Sequence, residues 1–533
     1  MAGKAGLGIV FFTACVLLAS AAVPAPVAES NTLDQAIERV LAREAANYKT
    51  LQQFTPLVET YIQELRPDQQ MGFAPIGDHY FLGRVSFKGY LRDDSFFGKA
   101  RQGHFVPRGF AQMAVIDPAG FDRQHYDFKF LTREFLGEVR CLVFDVTPQS
   151  KSGKGRFLGR IWVEDQEYNI VRVNGVYTVE GARTPYVHFD TWRLNLQPGL
   201  WLPAYVYSEE ANIPVGLRKT TTFRSQTRFW GYASGQENSL EFAQVLVDPD
   251  EEVKDLSDRP RFLSPVAAER AWLRQAEDNV LGRLRRAGLL ASPGDVEKLL
   301  ETVVDNLIIT NNLTLASDVR CRVLLTTPIE SFTVGHTIVV SRGLLDVIPD
   351  EASLAAILAH ELSHVVLDHR LDAKFAYSDR VIFADDQALR RLNMMRTPAE
   401  EQAADKKSAE LLLNSPYRDK LTAFGLFTQQ LQHSRNQLPN LIRARLGNAL
   451  VLDKNSPRGA GLPASASRLE PAKLDQIAAL PLGGRINLNP WTGGVEMSKA
   501  RPVALIKARE KLVFELTPVF PNITRIQSGG EAR

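Results

Sequence analysis

A pair of histidines four residues apart constrains this chain more than any other feature of its sequence. His360 and His364 belong to a His-Glu-Leu-Ser-His motif inside the apolar segment 349–370. Apolar residues recur at helical spacing through this segment, which predicts a helix that starts near Asp350. Positions four apart share one face of a helix, so both imidazoles are able to face the same point. The fold must therefore surround a helix that presents two histidines together.

The chemistry of the motif favours a metal site. Two imidazoles and the carboxylate of Glu361 would be costly to bury on one apolar helix without a partner. Zinc binds neutral imidazoles and holds a water molecule that a neighbouring carboxylate can deprotonate. We predict one Zn²⁺ per chain, with His360 and His364 as ligands and Glu361 as general base. The alternative is a pair of partly exposed helix histidines with Glu361 as a surface charge.

A catalytic zinc ion usually has three protein ligands, so one more is needed. His369 follows His364 by five residues, which rotates it away from the ligand face, and we expect it to support the site instead. Residues 397–400 form a capping box that starts a second helix, on which Glu401 and Asp405 share one face. Glu401 is the candidate ligand, and Asp405 the partner of a ligand imidazole. Spacing alone leaves open that both are solvated helix charges.

Residues 324–413 resemble a zinc metallopeptidase family. A strand, a Gly-Leu-Leu segment, His-Glu-Leu-x-His and Glu-x-x-Ala-Asp follow one another, as in the HtpX heat-shock proteases, the CAAX prenyl proteases and the periplasmic β-barrel-assembly-enhancing protease. The resemblance implies a zinc metalloendopeptidase whose third ligand is a glutamate. Carried over to this chain, it implies His360, His364 and Glu401 as metal ligands, Glu361 as catalytic base and Asp405 as the orienting carboxylate.

The chain departs from that family in three respects. Residues 330–332 are Glu-Ser-Phe where the family often has Asn-Ala-Phe. The Thr-His-Pro segment that frequently carries the oxyanion-stabilising residue is absent, which leaves Arg468, Arg443 and Arg445 as candidates. The membrane helices of HtpX are also missing, and this favours the soluble periplasmic branch of the family.

The first 30 residues have the layout of a secretory signal peptide. Lys4 precedes an apolar run from Leu7 to Val23, and small residues and prolines follow. We therefore expect a periplasmic or otherwise exported protein. The apolar run is just long enough to leave an uncleaved membrane anchor as the alternative, and no later segment predicts a membrane span. Without the signal, Cys141 and Cys321 remain, either paired or as buried thiols.

Residues 31–250 are predicted to form a β-rich domain. A helical pattern covers residues 33–65, and short runs rich in Val, Tyr, Phe, Trp and Thr, including residues 110–117, then alternate with turn signals up to residue 247. These runs predict a curved antiparallel sheet of about eight strands. The pattern of strand-forming runs in residues 155–201 resembles that of the half-barrel in lipoprotein-carrier (LolA-like) domains. The alternative is a plain β-sandwich-like module.

The remainder of the chain is predicted to be mostly helical, which gives an α+β protein. Residues 251–263 form a charged linker, and residues 264–452 form a zincin-type metalloprotease domain with a strand pair near residues 321–326 and 331–341. Residues 453–533 are rich in Pro and Gly and are predicted to wrap that domain as loops. Residues 374–396 are the candidate lid over its cleft.

Two functions remain in competition. In the first, a zinc-dependent endopeptidase cleaves extended or misfolded envelope proteins, whose backbone adds to the edge of a strand at residues 337–341, next to His336. In the second, the β-rich domain binds a lipid, a lipoprotein or an unfolded polypeptide, with an accessory protease domain. Basic and acidic residues nearly balance at 63 and 61, so the composition does not predict a nucleic-acid partner.

Overall fold

The computed structural model describes most of the chain, with gaps. The described residues are 27–69, 72–88, 92–96, 105–118, 120–150, 152–153, 155–178, 187–214, 220–233, 265–370, 392–453, 456–457, 470, 482–498 and 514–526. Outside them lie residues 1–26 of the predicted signal peptide, the predicted linker 251–263, residues 374–391 of the predicted lid, Arg468 and most of residues 453–533.

A large curved antiparallel sheet makes up the N-terminal half. It has ten strands, where the sequence predicted about eight, in the order β3-β2-β1-β10-β9-β8-β7-β6-β5-β4. The first and last long strands are neighbours, so the chain leaves the sheet beside the point where it entered. The strands are β1 Leu57–Asp68, β2 Gly72–Ser86, β3 Arg92–Ser95, β4 Tyr126–Leu136, β5 Val139–Pro148, β6 Phe157–Glu164, β7 Ile170–Tyr177, β8 His188–Gln197, β9 Leu200–Pro214 and β10 Thr220–Trp230.

The N-terminal helix α1, Val27–Leu51, is shorter than predicted. The prediction of a helix to residue 65 was wrong, because residues 57–65 belong to β1. Tyr61 and Ile62 point to opposite faces of this strand and both are 0% exposed, so the polar–apolar alternation of a half-exposed strand is absent. The predicted strand at residues 110–117 was also wrong. A short helix, α2 Pro107–Gln112, covers its start and opens with a proline at its first turn.

The sheet separates two hydrophobic cores. On one face, Ile37 and Val40 of α1 pack with Val58 and Ile62 of β1. On the other face, Tyr61 belongs to a continuous core that extends through the C-terminal half of the chain. The sheet is therefore covered on both sides and forms one side of the core that surrounds the histidine motif.

The C-terminal half is mainly helical, so the predicted α+β class is confirmed. No described helix has the length and hydropathy required to cross a membrane. Its helices are α3 Pro265–Arg286, α4 Asp295–Thr310, α5 Arg342–Val347, α6 Glu351–Val366, α7 Pro398–Leu413, α8 Thr422–Ser434 and α9 Pro439–Ile442, with a 3₁₀ turn at Arg418–Lys420. Its strands are β11 Arg320–Leu324, β12 Ser331–Val334, β13 Thr337–Ser341, β14 Val451–Asp453, β15 Ser456–Pro457, β16 Ile486–Leu488 and β17 Val495–Met497.

The predicted strand pair near the motif is a three-stranded sheet. Gly335 has a positive φ of 57° and turns the chain between β12 and β13, which splits the predicted second strand into a hairpin. The sheet order is β11-β13-β12, so β13 is hydrogen-bonded on both sides. The prediction that residues 337–341 offer a free edge to a substrate was therefore wrong, because both edges are already paired.

A buried polar cluster joins the large sheet to the C-terminal half. Glu59 of β1 accepts hydrogen bonds from the Tyr80 hydroxyl at 2.9 Å and from Thr327 N at 2.6 Å. Its other oxygen accepts from Arg342 Nη2 at 2.8 Å, and Arg342 also pairs with Asp346 at 3.2 Å. Residue 327 lies in the loop that leads into β12, so the sheet holds the strand that borders the histidine motif.

The two cysteines that follow the predicted signal are not bonded. Cys141 of β5 and Cys321 of β11 are both buried and free. Burial raises the pKa of the Cys141 thiol to about 12, and it also raises the pKa of Cys321. Of the two possibilities that the sequence left open, the structure shows buried thiols, which are poor nucleophiles at neutral pH.

Candidate metal centre

Helix α6 presents the histidine motif from within the core. Its predicted start is confirmed, since the Asp350 side chain accepts a hydrogen bond from Ser353 N at 2.8 Å and caps the helix. His360, Glu361 and His364 are only 2%, 1% and 1% exposed. The alternative of partly exposed histidines is therefore excluded by the structure.

Helix α7 brings the second part of the site to the first. The predicted capping box is confirmed, with Thr397 bonded to the N–H of Glu400 and the Glu400 side chain bonded back to Thr397 N. Ala404 is 0% exposed, and a side chain this small lets α7 approach α6 closely. Glu401 is 3% exposed on this inner face, so it is not a solvated helix charge.

Three potential ligand atoms converge between the two helices. His360 Nε2 lies 3.2 Å from His364 Nε2. The carboxylate of Glu401 faces both rings, with Oε2 3.4 Å from His360 Nε2 and Oε1 3.4 Å from His364 Nε2. Ligands placed tetrahedrally at about 2.0–2.1 Å from a zinc ion are about 3.3 Å from one another. The types of the three ligand atoms and their spacing therefore fit a zinc ion. Among the described residues, His360, His364 and Glu401 form the group of metal-binding side chains that lie close enough together to bind one ion.

The remaining ring nitrogens fix how the imidazoles are oriented. His360 Nδ1 lies 2.9 Å from Asp405 Oδ1, and since a carboxylate only accepts, Nδ1 carries the proton and Nε2 presents its lone pair. His364 Nδ1 lies 2.8 Å from His369 Nδ1. Burial and the neighbouring His364 lower the pKa of His369, which favours its neutral, accepting form. His369 thus lies behind His364, outside the converging atoms, as its offset predicted.

The carboxylate of Glu361 is held by two hydroxyl groups of β12. Ser331 Oγ donates to Glu361 Oε1 at 2.7 Å, and Thr333 Oγ1 donates to Oε2 at 2.7 Å. Neither hydroxyl was predicted from the sequence. The available signal was their spacing, since residues two apart on a strand share a face. Ser331 also lies where the sequence departs from the resembled family, so this departure changes what surrounds Glu361.

The candidate oxyanion residues are not brought to the site by the described part of the structure. Arg445 donates to Asn440 Oδ1 at 2.6 Å and stacks over the Tyr80 ring, on the side facing the large sheet. Arg443 is exposed, and Arg468 lies outside the described residues. Arg396, which sequence reasoning missed, donates to the Thr333 carbonyl at 3.0 Å, and burial lowers its pKa.

A cavity of about 320 Å³ opens beside His364. His336, Arg274 and Glu277 line it together with His364 and His369. His336 lies next to the strand that the sequence predicted to bind substrate, and its position in this cavity leaves a contact between His336 and substrate as a prediction. Burial, followed by the charge of Arg274, lowers the pKa of His336, so its neutral form is favoured.

The family comparison covers the segment that contains the motif. Residues 297–384 match peptidase family M48. This part of the chain is similar to the M48 peptidase domain. Members of the family are zinc metallopeptidases, so the M48 match agrees with the resemblance seen in the sequence. The match ends before α7, so it does not include Glu401 or Asp405, whose position beside the histidines is given by the geometry above.

Other comparisons add little to the M48 assignment. A solved domain from Vibrio parahaemolyticus, provisionally described as an outer membrane lipoprotein-sorting protein, is similar at 12% identity and a TM-score of 0.19. The similarity covers 38% of this chain and 99% of that domain. No curated protein matches the chain.

Proposed function

We propose that the chain is a zinc-dependent endopeptidase that hydrolyses peptide bonds in extended or misfolded envelope proteins. The observation that carries this proposal is the convergence of His360, His364 and Glu401 to within 3.4 Å of one another, next to the carboxylate of Glu361. The M48 match supports the peptidase class. The predicted signal peptide supports export to the periplasm, and the resemblance to the envelope proteases supports the substrate class.

Each side chain of the site has a role in this mechanism. His360, His364 and Glu401 would hold the ion, and a zinc ion bound there would lower the pKa of water and polarise the scissile carbonyl. Glu361 accepts a proton from the attacking water and passes it to the leaving amine. Ser331 and Thr333 keep that carboxylate in one orientation, and Asp405 keeps the His360 lone pair directed at the site.

The competing carrier function has less support in the described residues. The sequence feature that favours it is the number of aromatic residues along the sheet, including four tryptophans. Trp162, Trp192, Trp201 and Trp230 are all at most 6% exposed. They belong to the core shared with the C-terminal half, so they do not line an open surface.

Removal of the metal is expected to abolish hydrolysis. Dialysis of the full chain against 1,10-phenanthroline should lower the rate of fluorescein-casein cleavage by at least about 100-fold, because the water would lose its activation. One equivalent of Zn²⁺ per chain should restore the rate. An equal concentration of the non-chelating 1,7-phenanthroline is the control and should have no effect. Cleavage that survives in the metal-free protein would contradict the proposal.

Asp405→Ala is expected to weaken zinc binding by about 10- to 100-fold, because His360 would lose the acceptor that fixes its tautomer and orientation. The Kd is measured by competition with a chromophoric chelator. Glu410→Ala is the matched control, because Glu410 lies on the exposed face of the same helix, where it pairs with Lys407. If both variants bound zinc as tightly as the wild type, Asp405 would have no role in the site.

A further inference from the structure

Arg228 is a buried arginine without a carboxylate partner among the described residues. It lies on β10 and is 7% exposed, and its Nη2 donates weakly to Gln226 Oε1 at 3.4 Å and to Gly483 O at 3.5 Å. Its Nε has no hydrogen-bond partner in the part of the chain that the structure describes. Two other buried arginines differ, since Arg342 pairs with Glu59 at 2.8 Å and Arg193 pairs with Glu44 through two hydrogen bonds.

The surroundings of Arg228 do not neutralise its charge. Burial and the nearby guanidinium of Arg342 lower the pKa of Arg228 to about 10, so it stays protonated at neutral pH. The Tyr205 ring lies 5.3 Å from its guanidinium carbon and offers a cation–π contact. Asp346 and Glu59 act on Arg228 at longer range, but both already pair with Arg342. A buried charge with so little compensation is costly for the folded protein.

Arg228 lines a cavity of about 380 Å³ between the large sheet and the segment 514–526. The same lining contains apolar residues on the face of the sheet to which Arg228 points, including Leu488, Val519 and Ile526, and polar ones such as Asn487. A volume of this size is in the range of small-molecule sites. Glu496 also borders the cavity but is exposed and forms no ion pair with Arg228.

We propose that this cavity binds a small organic anion that carries one carboxylate on an apolar chain. A guanidinium binds a carboxylate through two parallel N–H···O bonds, and such an anion would satisfy the donors that the protein leaves without a strong acceptor. The apolar residues of the lining would contact the apolar chain of this anion. A medium-chain fatty acid and the carboxyl end of a short apolar peptide share this chemistry. The site is separate from the metal centre and does not depend on the proposed peptidase function.

The test uses the full chain and octanoate as the probe, with octan-1-ol as the neutral molecule of equal chain length. Calorimetric titration should show one saturable octanoate site per chain and at least about tenfold weaker binding of octan-1-ol. A tetrapeptide ending in Leu-Leu, as free acid and as amide, and inorganic phosphate complete the set. Stronger binding of the peptide acid than of octanoate would identify a peptide terminus as the source, and the reverse order a fatty acid. Binding by phosphate alone, or equal binding of acid and neutral probes, would overturn the proposal.

Arg228→Met supplies the second readout. We expect it to weaken octanoate binding by about tenfold or more, while its unliganded thermal midpoint stays equal to or above that of the wild type, because an apolar chain replaces an unpaired buried charge. Arg160→Met is the control, since Arg160 forms only a surface pair with Asp145, and it should bind octanoate normally. Should Arg228→Met fail to fold, Arg228→Lys keeps the charge without the planar fork and should show weakened binding. Unchanged octanoate affinity in either Arg228 variant would overturn the proposal.

Discussion

Glu361→Gln should lower kcat/KM for a quenched fluorescent peptide by roughly 100- to 10,000-fold, the usual contribution of a general base. Glutamine has the shape of glutamate but cannot take up the proton of the attacking water. Its amide can still bond with the hydroxyls of Ser331 and Thr333, so the side chain should keep its place. Glu361 provides none of the three ligand atoms that converge on the metal centre, so the zinc content of the variant should stay at the wild-type level.

A lower kcat/KM with unchanged zinc content would show that the variant has lost the general base and not the metal centre. Zinc content is measured by mass spectrometry, and folding by the thermal midpoint, in the same preparation as the kinetics. Glu410→Gln is the matched control, because Glu410 lies at the surface of α7, where it pairs with Lys407. A Glu361→Gln variant that kept zinc, fold and more than about a tenth of the wild-type rate would show that Glu361 is not the base.

The largest effect on stability is expected at the ion pair between the large sheet and the C-terminal half. Arg342→Met should lower the free energy of unfolding by about 3–5 kcal/mol, because it leaves the carboxylates of Glu59 and Asp346 buried without their cation. Arg342 and both carboxylates are 1% exposed at most, so solvent does not screen the loss. The free energy is measured by urea unfolding followed by tryptophan fluorescence.

Two comparisons show whether the lost interaction is the buried pair. Arg160→Met breaks a surface pair with Asp145, and its effect should stay within about 1 kcal/mol. The double variant Glu59→Leu/Arg342→Met removes the charges of Glu59 and Arg342 and leaves one unpaired carboxylate, Asp346, instead of two, so it should recover part of the stability lost in the single variant. A single Arg342→Met variant as stable as the wild type would show that this pair does not hold the two halves together.

Helices α6 and α7 could be predicted from the sequence because their signals are local. Asp350 and Thr397 cap them, apolar residues recur at helical spacing in α6, and ligand types lie four apart on one face. Because residues four apart share one face of any helix, this local spacing is enough to place His360 and His364 side by side. The meeting of the two helices, which brings Glu401 to the histidines, came from a resemblance and not from spacing.

The features that the sequence did not predict are those decided by distant parts of the chain. Strand β1 was predicted as helix because both of its faces are buried, which removes the period of two. Strand β13 is internal because β11 and β12 pair with it, a choice made by tertiary packing. The Arg342–Glu59 pair joins residues 283 positions apart, and no local pattern marks it.

The measurement that tests the central claim most directly is the zinc stoichiometry and affinity of the wild type beside Glu401→Gln. The wild-type chain, dialysed against a competing chelator, should retain one zinc ion, and Glu401→Gln should bind it at least about 100-fold more weakly, because one of three protein ligands loses its charge. A wild-type chain that binds no zinc, or a Glu401→Gln variant with unchanged affinity, would contradict a metal centre built from His360, His364 and Glu401.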